Sequence, residues 1–290
     1  MDMVEYEASL VGGGRPDRLV VYGRPPERWL RALLPNAPVW RRFPELDVRY
    51  ARTRLELLRE TGGRPSYVLP LFPKQAGRVP PWWWMLRPNR RAIAALEGKL
   101  GFARYVRSVG LADFTPRAFL EGETPGFPLV VKPSDGANGY DVRFIDGPDE
   151  LARELADPRW RGRTPVLQER IAGDVDYVTY VVCRGGRILG HLSYRYQLGE
   201  SGVQSFESIV RRESWTAEAA DLEAFGRLLG PLGYDGPATI DWRRRPDGRM
   251  AVFEINPRLG GSLMRPEGET DLARMLRLVL QHARPPRLFE

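Results

Sequence analysis

The segment Ala238-Thr239-Ile240-Asp241-Trp242-Arg243-Arg244-Arg245-Pro246-Asp247-Gly248-Arg249-Met250-Ala251-Val252-Phe253-Glu254-Ile255-Asn256-Pro257-Arg258-Leu259-Gly260-Gly261-Ser262 alternates apolar and polar residues on both sides of a Pro-Asp-Gly turn. That is the pattern of a β-hairpin. With Asp247-Gly248 as a two-residue loop, Pro246 faces Arg249 and Asp241 falls opposite Glu254. A one-residue bulge at the turn shifts this register slightly and still leaves the two acids neighbours. The period of two puts Glu254 and Asn256 on Asp241's face and Ile240, Trp242, Phe253 and Ile255 on the other. Carboxylates opposed across a ladder, with Cβ atoms about 4.5–5.5 Å apart, repel, so a cation is expected between them. Oxygen donors alone, with no His or Cys nearby, suit a hard divalent ion such as Mg²⁺. The same residues also fit a solvated strand face whose acids pair with Arg243 and Arg249, and the hairpin alone does not separate the two readings.

Around this hairpin lies a chain of 290 residues, long enough for two domains or one large α/β unit. Its 42% hydrophobic and 28% charged content are those of a globular protein. No apolar run is long enough to cross a bilayer and no charged-then-apolar leader opens the sequence, so a cytoplasmic protein is expected, with no membrane partner. One cysteine, Cys183, excludes an internal disulfide framework and a cysteine-based zinc site. With only His191 and His282, zinc–histidine clusters and a Ser-His-Asp triad are disfavoured. A net charge of +7 invites a nucleic-acid reading. The arginines, however, are scattered and interleaved with acids, and no nucleic-acid partner is expected. Of 44 basic residues only Lys74, Lys99 and Lys132 are lysines. In so arginine-rich a chain, lysine marks places that need a compact, flexible ammonium, as on a phosphate.

Upstream, residues 1–14 end in a glycine triplet that precedes a strand, Arg18 to Gly23, so the dinucleotide-binding fingerprint is absent. Pro25-Pro26 opens a helix, a second helix is expected from about Asp47 to Glu60, and Ser66 to Phe72 is a strand. Strand–helix–helix–strand makes a small α/β layer. A proline-rich connection, residues 73–90, carries Trp82-Trp83-Trp84, expected to cap a core or interface and alternatively to wall a substrate pocket. Asn89 to Val109 is helical, with Gly98 and Gly101 around Lys99 able to break it in two. Gly126 to Pro133 is a strand ending at Lys132, followed by Ser134-Asp135-Gly136-Ala137-Asn138-Gly139 and a returning strand from Val142. Glycines that let backbone N–H groups approach an anion, beside a lysine point charge, read as a phosphate cradle. It is not the P-loop, because the lysine precedes the glycines; the other reading is a hairpin with a loose tip. A helix from Pro148, a strand Pro165 to Ile171, an antiparallel pair turning at Gly185-Gly186, a polar loop from Gly199, a helix Ala217 to Leu229 and a last helix from about Glu269 to His282 complete the chain.

The order of parts as a whole resembles the ATP-grasp superfamily. Lysine on a helix comes first, then strand–lysine–glycine loop, Gln-Glu-Arg-Ile, an acid, and finally Asp…Glu-Ile-Asn-Pro-Arg. The resemblance covers roughly residues 89–282 and is most specific at Glu254 to Ser262. It is closer to the carboxylate–amine ligases than to biotin carboxylase, with a sparser glycine loop than many members carry. It implies an α/β chain, α+β in its nucleotide-binding part. Residues 1–87 would form an abbreviated N-terminal α/β layer and 88–290 an ATP-grasp domain, with a lid at about 113–168 and a C-terminal subdomain at 169–290. By resemblance, Lys99 and Lys132 contact ATP phosphates, and Ser134, Gly136, Asn138 and Gly139 form the loop closing over them. Gln168, Glu169, Arg170 and Ile171 are the adenine hinge and Asp176 the ribose acid. Asp241, Glu254 and Asn256 hold Mg²⁺ (or Mn²⁺), and Arg258, with Lys132, serves catalysis by holding the acyl phosphate. The implied activity is ATP-dependent, ADP-forming joining of a small carboxylic or amino acid to an amine, in a chain that could form a homodimer. Bicarbonate activation through carboxyphosphate, or phosphoryl transfer, is the alternative within the superfamily. A non-catalytic nucleotide- or nucleic-acid-binding module is the rival outside it.

Overall fold

The computed structural model describes residues 16–24, 27–62, 64–76, 78–79, 83–134, 136, 139, 141–199, 202–203 and 208–284. Among them the elements run β1 (Arg18–Tyr22), α1 (Glu27–Leu33), β2 (Asp47–Ala51), α2 (Arg54–Thr61), β3 (Tyr67–Pro70), α3 (Pro73–Ala76), α4 (Arg90–Leu96), α5 (Lys99–Ser108), β4 (Ala118–Phe119), β5 (Leu129–Pro133), β6 (Arg143–Ile145) and α6 (Pro148–Leu155). They continue with β7 (Pro165–Glu169), β8 (Val175–Arg184), β9 (Arg187–Leu198), β10 (Ile209–Trp215), α7 (Ala219–Leu229), β11 (Gly236–Arg244), β12 (Met250–Asn256) and α8 (Glu269–His282). Three sheets result: a parallel β2-β1-β3, an antiparallel β4-β7-β5-β6 and an antiparallel β10-β9-β8-β11-β12. The glycine triplet and Trp82 lie outside the described residues.

The N-terminal layer departs from expectation at Asp47. Residues 47–51 form a strand parallel to β1, with Ala51 opposite Tyr22, and only residues 54–61 are helical. The helix cannot begin earlier because Thr53 is extended and caps it, its Oγ1 accepting from Glu56 N–H at 3.1 Å. Glu56 in turn accepts from Arg52 N–H at 2.7 Å. Leucine periodicity in α2 overshadowed the shorter Val48/Tyr50 alternation before it. Two other strands were not expected: β4, only two residues long, and β10, an edge strand after the polar loop that carries Arg211, Arg212 and Glu213.

The five-stranded sheet divides the larger part of the molecule. One face packs Val181, Ile240, Trp242, Val252 and Ile255 against Leu96, Phe102 and Val106 of the α4–α5 region and Phe225 and Leu228 of α7. The other packs Val178, Tyr180, Val182 and Tyr194 into one core with Leu19, Val21 and Leu33 of the N-terminal layer and Leu272, Met275 and Leu276 of α8. Trp83 is buried with Val20, Tyr22, Leu57 and Val68, and Trp84 meets Tyr67 edge-on at 6.0 Å. These two tryptophans therefore cap the small layer, as expected.

Candidate active site

The hairpin brings Asp241 opposite Glu254, but by a route the sequence did not show. Arg245 N–H donates to Arg249 O at 2.7 Å, so Pro246-Asp247-Gly248 is a three-residue loop with Gly248 at φ +82°. That turn pairs Arg244 with Met250 and, continued, would set Asp241 opposite Phe253. A second irregularity corrects it: Trp242 faces Val252 while Asp241 faces Glu254, leaving Phe253 as the extra residue of a bulge. Phe253 thereby leaves the core face expected for it and lines the cavity. Val252 fills the core place instead.

Neither Arg243 nor Arg249 neutralises these acids. Arg249 pairs with Asp247 at 2.7 Å, and Arg243 Nε donates to Asp176 at 2.7 Å. The cation at the hairpin is Lys99, whose Nζ is 3.0 Å from Glu254 Oε2 and donates to Gly136 O at 2.5 Å. Gly98, at φ +88°, ends one helix and starts the next there, and Lys99 N–H donates to Ser134 O at 3.1 Å. The lysine thus staples the glycine loop to the hairpin. Asn256 Nδ2 donates to both Asp241 (3.2 Å) and Glu254 (3.0 Å).

The charges do not balance at Asp241. Burial first, then Glu254 and Asp176, push its carboxyl up to about 8, against Arg258 and Lys99. Burial works the same way on Glu254, but Lys99, the Asn256 amide and Lys132 outweigh it and hold this carboxyl below its ordinary value. Two facing carboxylates with one lysine on Glu254, plus an amide whose oxygen is a further donor, fit a hard cation that would complete its shell with oxygens from a ligand. Among the described residues no group of three His, Cys, Asp or Glu forms an all-protein metal cage.

Lys132 stands on β5 opposite Val166, and Val130 stands opposite Gln168. Period two therefore aims Lys132 and Gln168 into the cavity, while Leu129, Val131 and Leu167 pack behind with Ile145 and Trp160. Lys132 is buried, its Nζ 5.8 Å from the centre of the Phe253 ring. Burial and then Lys99 lower its pKa to about 8, with Glu254, Asp241 and Asp176 pulling the other way. Of the expected hinge residues, Glu169 lines the cavity but its side chain is engaged elsewhere. Its carboxylate faces away, held by Arg245 at 2.6 and 3.1 Å and by Arg117 N–H at 3.0 Å. Gln168 is the hinge side chain that faces the cavity.

Asp176 reaches the cavity wall but is shared with Arg243, both nearly inaccessible. Arg243 also donates to Ile171 O, Gly173 O and Gly202 O at 2.6–3.0 Å, tying hinge, loop and hairpin together. Arg258 lies past β12 with its guanidinium 5.1 Å from the Trp29 ring of α1 and 5.9 Å from Phe72.

These groups surround one cavity of about 260 Å³ between the two antiparallel sheets. Lys99, Lys132, Gly136, Gly139, Gln168, Glu169, Arg170, Ile171, Asp176, Asp241, Glu254, Asn256 and Arg258 all line it. Ser134 does not join them: its N–H donates to Thr164 O and its carbonyl is taken by Lys99 N–H. Asn138 lies outside the described residues. Phe144, Tyr196, Arg243 and Phe253 line the cavity without having been expected there. Arg243 alone had a legible signal, since it shares Asp241's face at a spacing of two.

No protein-family model and no curated protein matches the sequence, but solved structures share the fold over most of the chain. The D-alanine–D-alanine ligase of Bacillus anthracis superposes with a TM-score of 0.64 at 16% identity, over 92% of this chain and 96% of that one, and a second structure of it holds ATP. The L-amino acid ligase of Bacillus licheniformis gives 0.58 at 17% identity, over 93% and 74%. The N5-carboxyaminoimidazole synthetase of Staphylococcus aureus gives 0.62 at 12%, over 92% and 77%. The chain has the α/β ATP-grasp fold.

Proposed function

We propose that this protein is an ATP-dependent, ADP-forming ligase that activates a substrate carboxylate as an acyl phosphate and joins it to an amine. The observation that carries the reading is the convergence of Lys99 and Lys132 with Asp241, Glu254, Asn256 and Arg258 on one cavity. Phosphoryl transfer asks a protein mainly for alignment and charge neutralisation. The two lysines would hold the triphosphate from the start of α5 and from β5, with the adenine at Gln168 and the backbone of residues 169–171. Mg²⁺ or Mn²⁺, held by Asp241, Glu254 and Asn256, would supply the remaining charge neutralisation at the phosphates. The substrate carboxylate attacks the γ-phosphate, giving ADP and an acyl phosphate. When the amine adds, Arg258 offers its planar donors to the oxyanion that develops; the adduct then collapses by breaking the acyl C–O bond, expelling inorganic phosphate, and the nitrogen loses its proton to give the amide. Its perch on Trp29 aims it from the N-terminal layer. No side chain need act as a nucleophile, and Cys183 is buried, with its thiol pushed up to about 12 by burial and then Asp235.

The partners under this reading are a small carboxylic or amino acid and an amine. No helix among the described residues is long and apolar enough to cross a membrane. The test is ATP turnover with a panel of acids and amines in the presence of hydroxylamine. ADP with a trapped hydroxamate supports the reading. AMP as product, or ADP release driven by bicarbonate with no organic acid, overturns it, the latter in favour of carboxyphosphate chemistry.

A further inference from the structure

Tyr196 carries the cavity wall to a group of tyrosines on the five-stranded sheet, with Tyr180, Tyr194 and Arg212 packed behind that wall. Register sets Arg212 of β10 opposite Tyr196 of β9, and Tyr196 opposite Asp176 of β8, so all three share the face that bears Asp241. Tyr196 is only 1% exposed and lines the cavity; its hydroxyl lies near those of Ser262 and Tyr180 but makes no hydrogen bond of normal geometry with either or with any other described residue. Arg212 has its Cζ 3.7 Å from the centre of the Tyr194 ring, and its Nε–H is likewise buried without an acceptor. The nearby carboxylate of Asp271 is occupied by the Tyr194 hydroxyl, and Tyr180 shares a hydrogen bond with Ser262. The positive charge of Arg212 reaches all three tyrosines: burial raises the pKa of Tyr180, Tyr194 and Tyr196, and Arg212 works against it in each.

A buried phenol and a buried guanidinium N–H left unpaired are both costly, and a folded protein rarely keeps two such donors side by side without use. Both are donors and one is cationic, so the group that satisfies them together is an anionic acceptor. A planar carboxylate matches the guanidinium best.

We propose that this group of side chains is a second carboxylate subsite, where a substrate carboxylate other than the one phosphorylated accepts hydrogen bonds from Tyr196 Oη and Arg212, beside Ser262. The inference rests on the ligase reading above and narrows its substrates. Either the activated acid is a dicarboxylate, or the amine is an amino acid whose own carboxylate is anchored here.

The test is calorimetric titration of the full chain, with ATP and Mg²⁺ present, against succinate, glutarate, L-alanine and L-glutamate, each beside its fully amidated counterpart. At least one carboxylate is expected to bind tenfold or more tighter than its amide. Arg212→Gln and Tyr196→Phe should each erase that preference while the Kd for ATP stays within twofold. Preference confined to succinate or glutarate assigns the subsite to the activated acid, and preference for an amino acid assigns it to the amine. Tyr196→Phe, which removes one oxygen, carries the test if Arg212→Gln fails to fold. No preference for any carboxylate, or a preference unchanged in the folded variants, overturns the proposal. ADP release measured in the same samples separates the two readings: a carboxylate preference without turnover removes the ligase and leaves the subsite.

Discussion

At Lys132, burial and charge oppose each other. The ammonium sits in a wall that disfavours it, so its pKa falls to about 8, and only a phosphate would restore its full charge. Below about pH 7 the free protein already carries the proton and nucleotide binding takes up none. Above about pH 8 the lysine is largely neutral, and binding must draw a proton from solution. ATP affinity should therefore weaken as pH rises through 8, with proton uptake visible by calorimetry in buffers of different ionisation enthalpy. A pH-independent affinity from 7 to 9 contradicts this. Lys132→Arg keeps the charge but not the compact geometry, and its turnover should fall at least tenfold; wild-type rates would show that any cation suffices there. Glu254→Gln removes half of the carboxylate pair that would hold the metal, and turnover should fall about 100-fold, or about 2.7 kcal/mol of transition-state stabilisation. Its melting temperature should stay near that of the wild type, since Glu254 is partly exposed.

Among the elements, β7 and the β11–β12 hairpin set the geometry. On β7 two adjacent residues have opposite duties: Gln168 faces the cavity, and Glu169 straps Arg245 behind it. Gln168→Leu should raise the KM for ATP with little loss of stability. Glu169→Gln should do the reverse, costing about 1 kcal/mol because the pair is only partly buried and leaving the KM within about twofold. Steady-state kinetics beside a denaturant titration distinguish the two, and an exchange of these effects would return the hinge role to Glu169. The hairpin's two irregularities cancel at Asp241, so the facing acids were legible, while the third loop residue and the Phe253 bulge were not. A bulge depends on side chains packing from both faces, here Val252 and Trp242 in the core and Phe253 in the cavity, and a strand's own alternation carries no record of that. The helix expected at Asp47 failed for a related reason. Its strand exists because β1 offers a parallel partner, and a pairing 29 residues away leaves little local trace.

Over the whole molecule, the N-terminal layer and the large sheet share one core, and this continuity lets a helix near the start of the chain touch the site. Trp29→Ala should lower turnover by displacing Arg258 while leaving ATP affinity nearly unchanged. Trp83→Ala, in the satellite core of the small layer, should cost about 3–5 kcal/mol without a specific kinetic signature in the protein that remains folded. Comparing kcat, KM for ATP and thermal stability of the two variants checks this, and equal losses of stability with unchanged kcat would detach Trp29 from the site.

The sequence by itself determined the chemistry available to this protein: two scarce lysines in loop-and-strand contexts, a hairpin with two facing acids and an asparagine, and an arginine just beyond. Those features are local, fixed by turn residues, period-two alternation and composition, and so they can be read from one chain. Only the tertiary structure decided which charge meets which. It gave Lys99 to Glu254, Arg243 to Asp176 and Arg245 to Glu169, and it left Tyr196 Oη and Arg212 Nε without a well-formed hydrogen bond. Coulombic and hydrogen-bond partnership depends on distance across sheets, and arginines spread through every segment offer too many equivalent pairings for sequence order to choose among them.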